Sequence, residues 1–311
     1  MRRVLITAPY LKNEIHKFEE ELREKGIDFF VYPVKERVEE DELLKIIEQY
    51  EGIVCGDDRI TAKVIDQAKN LKVIVKWGTG IDSINKVYAE EHGIPVRNTL
   101  NAFTEPVSDS VLAIMLAFSR KLFESDRIMK SGQWEKAFGV CLSEVSLGII
   151  GLGNIGKAVA RKIKTFGTKV YANDIIDIPK SIVDELDVEM VPLEVLLEKS
   201  DFVNTCCTLN ETSHHLINSD TLGKMKSTAY LINVARGPIV KESDLIKALE
   251  EKRIAGAGLD VFEHEPLPIN SPLRSMDNCI LSSHNVNASP KYWNKVHRNT
   301  LDMLYEGLGI K

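Results

Sequence analysis

The sequence Leu147-Gly148-Ile149-Ile150-Gly151-Leu152-Gly153-Asn154-Ile155-Gly156 carries the clearest structural pattern of the chain. An apolar run typical of a buried strand leads into glycines spaced as G-x-G-x-x-G, and an amphipathic segment follows. In this setting the first glycine permits a tight turn, the second lets a pyrophosphate approach, and the third lets the helix pack on the sheet. We therefore predict that the cofactor phosphates are bound by Gly151, Gly153, Asn154, Ile155 and Gly156.

The next predicted strand ends at Asp174, which lies 18 residues after Gly156. This is close to the roughly 20-residue spacing of the acid that binds a ribose diol. A carboxylate there would repel a 2′-phosphate, and Ile175 and Ile176 provide no cation to bind one. The spacing thus favours NAD over NADP. The alternative is an ordinary strand–helix turn with a solvated aspartate.

Short apolar strands alternate with amphipathic helices along most of the chain, which predicts βαβ units and a mainly parallel sheet. The predicted strands are Val4–Thr7, Asp28–Val34, Gly52–Cys55, Val73–Lys76, Ser146–Ile150, Lys169–Ala172, Asp201–Thr205, Tyr230–Asn233, Gly258–Phe262 and Cys279–Ser282. The predicted helices are Asn13–Lys25, Glu39–Tyr50, Ala62–Lys69, Ile155–Thr165, Leu193–Glu198, Ser219–Met225 and Lys241–Glu250.

One segment breaks this alternation. Pro106–Lys130 has the pattern of a single long helix, with Pro106 in its first turn. The helix is too apolar to lie free on a surface. We therefore expect it to be buried against another domain or another subunit.

Three polar residues, Arg236, Glu265 and His284, each follow the end of a predicted strand. Ligands of an open parallel sheet lie beyond the carboxyl ends of its strands, so we expect these side chains near the cofactor loop. An arginine can bind a carboxylate in a bidentate manner, and a histidine can exchange the proton of a hydroxyl group. A glutamate hydrogen-bonded to that histidine stabilises the imidazolium. The set suits hydride transfer to or from a 2-keto or 2-hydroxy acid.

Each of these residues also has a purely structural interpretation. Arg236 could form a surface salt bridge, Glu265 could be a solvated loop acid like its neighbour Glu263, and His284 could be a core histidine. His264, which lies between two acids, is the main rival for the role of the base.

The composition excludes several classes of protein. A chain of 311 residues with 44% hydrophobic and 28% charged residues fits roughly two globular domains. A net charge of −6 argues against coating nucleic acid or an anionic membrane, and the densest apolar run, Val111–Phe118, is far shorter than a membrane span. Five cysteines without a CxxC pair and the adjacent His214-His215 predict no metal site and a cytoplasmic location.

As a set, these motifs resemble the D-isomer-specific 2-hydroxyacid dehydrogenase family. The resemblance covers nearly the whole chain, and it is visible in Trp77–Asp82, Gly93–Thr99, Gly151–Gly156, Leu231–Gly237, Gly258–Pro266 and His284. The stretch from Lys76 to Asp82 is most similar to the 3-phosphoglycerate dehydrogenase branch, in which a cation often precedes this loop.

The resemblance implies an α/β protein with two Rossmann-like, doubly wound parallel-sheet domains and the active site in the cleft between them. The substrate (flavodoxin-like) domain would comprise residues 1–100 plus 287–311, and the NAD-binding domain would comprise residues 101–286. The resemblance also implies a homodimer, formed in part through the helix after Pro106.

Site roles follow from the same resemblance. Arg236, Glu265 and His284 would be the catalytic residues, and Arg236 and His284 would also contact substrate and cofactor. Backbone groups of Trp77 and Gly78 would bind the substrate carboxylate, and Lys76 is a hypothetical phosphate ligand. The remaining cofactor contacts would come from Thr79, Cys207, Thr212, Val234, Ala235 and Asp260.

We therefore expect an NAD-dependent dehydrogenase acting on a D-2-hydroxy acid, with 3-phosphoglycerate or a similar phosphorylated acid as one candidate substrate. The alternative is an NAD-binding redox-sensing scaffold or corepressor with little turnover.

Overall fold

The computed structural model describes residues 1–310 and divides the chain into two compact units. The first unit comprises Met1–Phe103 and the chain from Ala288 onward, and the second comprises Thr104–Asn287. The assignment of substrate binding to the first unit and of NAD binding to the second stays a prediction at this point.

Every pairing between named strands within residues 1–310 is parallel. The strands are β1 Arg2–Ile6, β2 Ile27–Val31, β3 Gly52–Cys55, β4 Val73–Lys76, β5 Val96–Asn98, β6 Ser146–Ile150, β7 Lys169–Asn173, β8 Val188–Met190, β9 Phe202–Thr205, β10 Tyr230–Asn233, β11 Gly256–Leu259 and β12 Cys279–Leu281. The α-helices are α1 Pro9–Lys12, α2 Glu19–Glu24, α3 Glu40–Ile46, α4 Ala62–Gln67, α5 Lys86–Glu91, α6 Thr104–Ser119, α7 Leu122–Lys130, α8 Asn154–Lys164, α9 Lys180–Leu186, α10 Leu193–Lys199, α11 Ser219–Lys224, α12 Glu242–Glu250 and α13 Pro290–Gly307.

Each unit contains one sheet. The order in the first unit is β2-β1-β3-β4-β5, and the order in the second is β12-β11-β10-β9-β6-β7-β8. These are the flavodoxin-like order and an extended dinucleotide-binding order. The predicted α/β class with two parallel sheets is therefore confirmed. In the second sheet the strand order reverses between β6 and β9, which places a ligand crevice beyond the carboxyl end of β6.

The central strands are buried on both faces, which explains why they are continuous apolar runs rather than alternating ones. All residues of β3, β4, β6 and β9 are buried. The core of the first unit contains Leu5, Ile53 and Ile74, and that of the second contains Leu196 and Leu231. None of the helices in residues 1–310 has the length and apolarity that a membrane span requires.

The prediction of one helix over Pro106–Lys130 is wrong. The structure has two helices, α6 and α7, separated at Lys121, whose φ is +54°. The first helix ends because the chain folds back, and the N–H of Val140 donates to the Ser119 carbonyl at 2.8 Å. No glycine or proline marks this break in the sequence.

The buried apolar face of α6 packs within the second unit, whereas the sequence predicted burial against another domain or another subunit. The contact with a second subunit stays a prediction. The helix packs on α8, and its buried side chains include Val111, Ile114 and Met115. A Cβ added to Gly258 of β11 would lie 2.5 Å from Ile114 Cγ2, so a glycine at this position makes room for the helix.

Other differences concern element ends. The predicted strand Gly258–Phe262 is observed as Gly256–Leu259, so Asp260 lies just beyond it. The predicted helix Asn13–Lys25 is a short 3-10 turn, Ile15–Lys17, followed by α2, because the N–H of Phe18 donates to the Ile15 carbonyl three residues back. The three-residue strands β5 and β8 were not predicted, since they are too short for periodicity to detect.

Candidate active site

The glycine loop after β6 has three glycines with three different surroundings. Gly151 has φ +94°, and a Cβ there would lie 2.6 Å from the backbone nitrogen of Cys207. A Cβ on Gly156 would lie 2.3 Å from the Gly151 carbonyl oxygen. A Cβ on Gly153 would meet no atom within 4 Å. Close packing therefore requires Gly151 and Gly156, whereas Gly153 borders open space, as expected for a residue that a ligand approaches.

The side chain of Asp174 points back to this loop. Its Oδ2 accepts a hydrogen bond from the N–H of Leu152 at 2.7 Å, and its Oδ1 accepts one from Ile176 at 3.2 Å. Asp174 directly follows β7, beside the strand that carries the glycine loop. Asn154 and Ile155 form the first turn of α8, with Asn154 exposed.

A cavity of about 440 Å³ lies between these elements. Cys206 and Cys207 both line this cavity. Because burial raises the pKa of Cys207 to about 11 and that of Cys206 to about 12, both side chains are neutral, weakly polar thiols. Five of the residues predicted to bind the cofactor line this cavity, namely Gly151, Gly153, Asp174, Cys207 and Thr212.

Arg236 lies in a turn that two residues hold in place. Asn233, at the end of β10, donates from Nδ2 to the Arg236 carbonyl at 2.9 Å. A Cβ on Gly237 would lie 1.8 Å from the Phe262 carbonyl oxygen, so the turn packs directly on the chain after β11. The Arg236 side chain is half-buried, and its Nη1 donates to the Ala235 carbonyl at 2.8 Å. Val234, also in this turn, is buried.

His284 and Glu265 contact each other. His284 Nδ1 lies 3.0 Å from Glu265 Oε2, and both side chains are about 20% exposed. The other carboxylate oxygen of Glu265 accepts the N–H of Phe262 at 3.0 Å. Glu265 therefore fixes the orientation of the imidazole ring and directs Nε2 away from the carboxylate.

Asp260 holds the chain that carries His284. Its carbonyl accepts the N–H of His284 at 2.8 Å, and its Oδ1 accepts the N–H of Asn285 at 2.7 Å. Asp260 is fully buried, and its Oδ2 has no hydrogen-bond partner within the part of the chain that the structure describes. A buried carboxylate oxygen without a donor is an acceptor for a ligand N–H or O–H.

Glu263 and His264, the alternatives to Glu265 and His284, have different surroundings from those two residues. Glu263 is bound elsewhere, because its Oε1 lies 2.5 Å from His215 Nε2 and its Oε2 accepts the N–H of Glu242 at 3.0 Å. His264 is exposed, whereas His284 is half-buried against Glu265. Which histidine exchanges the proton stays a prediction.

The first unit contains the remaining predicted site residues. Lys76 and Trp77, both 4% exposed, are followed by Gly78, which has φ +113°, and by the exposed Thr79. Lys76 Nζ lies 2.7 Å from Asp57 Oδ1. The cation proposed as a phosphate ligand therefore has a carboxylate partner on the neighbouring strand connection.

Sequence reasoning missed Asn233 and Asp57. Asn233 could have been found, since a buried asparagine at a strand end needs partners in the following turn. No local signal pairs Asp57 with Lys76, since they come from different strands and lie 19 residues apart.

These groups can together accommodate a dinucleotide. A glycine turn with open space at Gly153, an acid at the end of the second strand, and an orphaned acceptor at Asp260 all lie in the second unit. Arg236, Glu265 and His284 follow the adjacent strands β10, β11 and β12. The arrangement can bind a carboxylate and exchange a proton next to a redox cofactor.

Comparison with known proteins gives consistent results. The family model for the NAD-binding domain of D-isomer-specific 2-hydroxyacid dehydrogenases matches residues 112–286. A glyoxylate reductase from Thermofilum pendens is 41% identical over 80% of this chain and 76% of its own length. A hydroxypyruvate reductase from Thermotoga maritima is 35% identical over 88% of this chain and 90% of its own. The crystal structure of the TT0316 protein from Thermus thermophilus has a TM-score of 0.84 at 33% identity, over 99% of this chain and 97% of that one.

Proposed function

Because the chain belongs to the D-isomer-specific 2-hydroxyacid dehydrogenases, which are NAD-dependent oxidoreductases, we propose that it reduces a small, unphosphorylated 2-keto acid. Glyoxylate and hydroxypyruvate are the leading substrates, since relatives with these activities in their names match most of the chain.

The observation that carries this choice is the pair between Lys76 and Asp57. The Lys76 ammonium is 2.7 Å from a carboxylate and its side chain is only 5% exposed. A phosphate that binds Lys76 would have to displace the Asp57 carboxylate or lie close to its negative charge. Either requirement disfavours phosphate binding. The phosphorylated acid is therefore the second candidate.

In the proposed reaction, the chemistry that NADH would supply when bound is a hydride for C2 of the keto acid. The guanidinium of Arg236 binds the substrate carboxylate and sets the distance of the carbonyl from the imidazole. Protonated His284 donates a proton from Nε2 to the carbonyl oxygen, which becomes the hydroxyl. The Glu265 carboxylate accepts a hydrogen bond from the Nδ1–H group of His284 and so stabilises the imidazolium before the transfer. In the oxidation direction His284 takes the proton back.

Other residues would hold substrate and cofactor. The backbone around Trp77 and Gly78 would bind the substrate carboxylate, and Thr79 would lie near the nicotinamide. The phosphates would lie at the first turn of α8, and Asp174 would bind the ribose diol. Contacts along the rest of the cofactor would come from Cys207, Thr212, Val234, Ala235 and the unpartnered Oδ2 of Asp260.

A redox-sensing scaffold is the weaker alternative. Such a protein needs to bind NAD, but it has no need of a histidine oriented by a carboxylate or an arginine held at the edge of the sheet. The contact between His284 and Glu265 at 3.0 Å therefore favours turnover.

We also propose a homodimer that uses α6, α7 and the segment after them. This region exposes large apolar side chains, namely Leu122, Phe123, Met129, Trp134 and Phe138. Exposed apolar patches of this kind mark interfaces between proteins.

The test is NADH oxidation by the purified protein with glyoxylate, hydroxypyruvate and phosphohydroxypyruvate. We expect turnover with the first two, and R236A should lower kcat/KM about 100-fold through loss of a charge-assisted pair. R161A is the matched control, since Arg161 is exposed on α8 and pairs only with Glu185 among the described ion pairs.

Two results would contradict the proposal. Absence of turnover with all three acids would contradict the proposed reductase activity and favour the redox-sensing scaffold. A preference for phosphohydroxypyruvate that is abolished by K76M would make Lys76 a phosphate ligand.

A further inference from the structure

His297 of α13 is buried against Trp77, the residue that directly follows β4. The indole Nε1 lies 2.9 Å from His297 Nδ1, and His297 is only 1% exposed. Three other rings surround the indole, those of Tyr10 at 5.0 Å, Trp293 at 5.6 Å and Phe103 at 5.7 Å. The hydrogen bond therefore lies inside an aromatic cluster.

The donor and acceptor in this contact are unambiguous. An indole N–H can only donate, so Nδ1 of His297 must accept, and the imidazole is neutral with its proton on Nε2. Burial lowers the pKa of His297, the Lys17 charge acts in the same direction, and the Glu14 charge opposes them. The ring thus keeps its acceptor at neutral pH.

The backbone next to Trp77 is held on two other sides. The Trp77 N–H donates to the Cys55 carbonyl at 2.9 Å, and the Gly78 carbonyl accepts the N–H of Thr99 at 2.9 Å. The Thr79 hydroxyl donates to the Thr99 carbonyl, also at 2.9 Å. These bonds join the main chain to β3 and to the segment after β5. The peptide between Trp77 and Gly78 lies between these attachment points and next to the side chain that His297 contacts.

We propose that His297 is a positioning residue, which acts through the Trp77 indole to hold the Trp77–Gly78 backbone in the orientation that binds the substrate carboxylate. This inference rests on the proposed function, in which that backbone contacts the substrate. His297 itself touches neither substrate nor cofactor in this proposal. A small change in the orientation of this peptide should alter the affinity for the substrate more than it alters the rate of the later chemical step.

Two substitutions separate the hydrogen bond from the volume of the ring. H297L removes the acceptor and retains an apolar side chain, and it leaves the indole N–H buried without a partner. H297N places an amide oxygen where Nδ1 was. We expect H297L to raise KM for glyoxylate or hydroxypyruvate about 10- to 100-fold with a smaller change in kcat, and H297N to recover most of the affinity. The Kd for NADH should equal the native value in both variants, and a native circular dichroism spectrum would report that the first unit, which contains His297, folds.

A double-mutant cycle tests whether His297 acts through the indole. W77F removes the donor, so H297L in the W77F background should raise KM no further. Additive effects of the two substitutions would overturn the proposal, as would a native KM in H297L.

The outcomes also distinguish this inference from the proposed function. If the native protein turns over no 2-keto acid, the proposed function fails, and this inference fails with it. If the native protein is active and H297L raises KM no more than H297N does, only this inference fails. Should H297L not fold, loss of affinity in W77F with a native KM in H297N supports the proposal, and a native KM in W77F overturns it.

Discussion

At the scale of single residues, each reactive group in the second unit is oriented by a neighbour that belongs to the same sheet edge. Glu265 fixes His284, Asn233 fixes the turn of Arg236, and Asp260 fixes the chain that carries His284. The contacts that these neighbours make are between 2.8 and 3.0 Å long, and Asn233 and Asp260 lie at or next to the ends of β10 and β11. Preorganisation of this kind keeps the reacting groups in place without a substrate.

The roles of the two histidines can be separated by substitution. H284Q should lower kcat about 100- to 10,000-fold, because the amide cannot exchange the proton. H264Q should retain native turnover, since His264 is exposed and the histidine that contacts Glu265 is His284. Steady-state reduction of hydroxypyruvate measures both. If H264Q lowered kcat more than H284Q does, the role of proton donor would belong to His264.

Asp58 gives a pH dependence of stability. This fully buried side chain has a pKa raised to about 6 by burial, although bonds from Thr7, Val38 and Gly56 act against the rise. Since the folded pKa lies above the ordinary 3.8, the folded protein binds the proton more tightly than the unfolded chain does. The contribution of Asp58 to the free energy of unfolding therefore falls as pH rises from about 4 to about 6, and it is constant above that range.

The variant D58N lacks this proton equilibrium. Its stability relative to the native protein should rise between pH 4 and 6 by on the order of 2 to 3 kcal/mol. Urea unfolding across that range measures the difference. D41N, at an exposed position on α3, is the control and should follow the native profile. A D58N profile parallel to the native one would mean that Asp58 keeps an ordinary pKa.

At the scale of elements, the start of α8 combines two demands on glycine. Gly156 is needed because the helix packs on the Gly151 carbonyl, whereas Gly153 borders open space that the proposed pyrophosphate would occupy. The backbone of Gly153, with φ −73°, is one that alanine also adopts. The two positions should therefore respond differently to the same substitution.

G156A should lower the free energy of unfolding by about 1 to 3 kcal/mol, since its Cβ would lie 2.3 Å from a backbone oxygen. G153A should keep the native Tm but weaken NADH binding about tenfold, because the added methyl occupies the space of the pyrophosphate. Thermal unfolding and calorimetric titration with NADH provide the comparison. Native NADH affinity in G153A would contradict the placement of the phosphates.

At the scale of the whole molecule, two parallel sheets of different strand order lie in one chain. The sheet with seven strands reverses its order at β6, and the sheet with five strands reverses at β1. In such sheets ligands bind beyond the carboxyl ends of the strands. The proposed binding residues of both units lie at strand ends of this kind, since Lys76 ends β4, Trp77, Gly78 and Thr79 follow it, and His284 follows β12.

The proposed dimer predicts a change in oligomeric state. W134S/F138S should convert a dimer into a monomer, because each side chain is nearly nine-tenths exposed and would lose its apolar contact area. I269S is the control, since Ile269 is equally exposed but lies outside the segment from α6 to Val140. Sedimentation velocity distinguishes the species. A native protein that sediments as a monomer would refute the dimer.

Local spacing along the chain was sufficient for the fold class and for the cofactor loop. The alternation of strands and helices and the glycines from Gly151 to Gly156 depend on neighbours within a few residues, so a sequence pattern detects them. The break at Lys121 was not predictable in this way, because residues 139 and 140 end the helix from 20 positions away.

In the candidate active site, too, some features follow from the local sequence and others depend on residues that are distant along the chain. Sequence alone determined that an arginine, a glutamate and a histidine follow three strands, because strand ends can be read from apolar runs. Only the tertiary structure showed that the two acids have different partners, since His215 contacts Glu263 and His284 contacts Glu265. It alone also paired Lys76 with Asp57, because contacts between neighbouring parallel strands join residues that are distant along the chain.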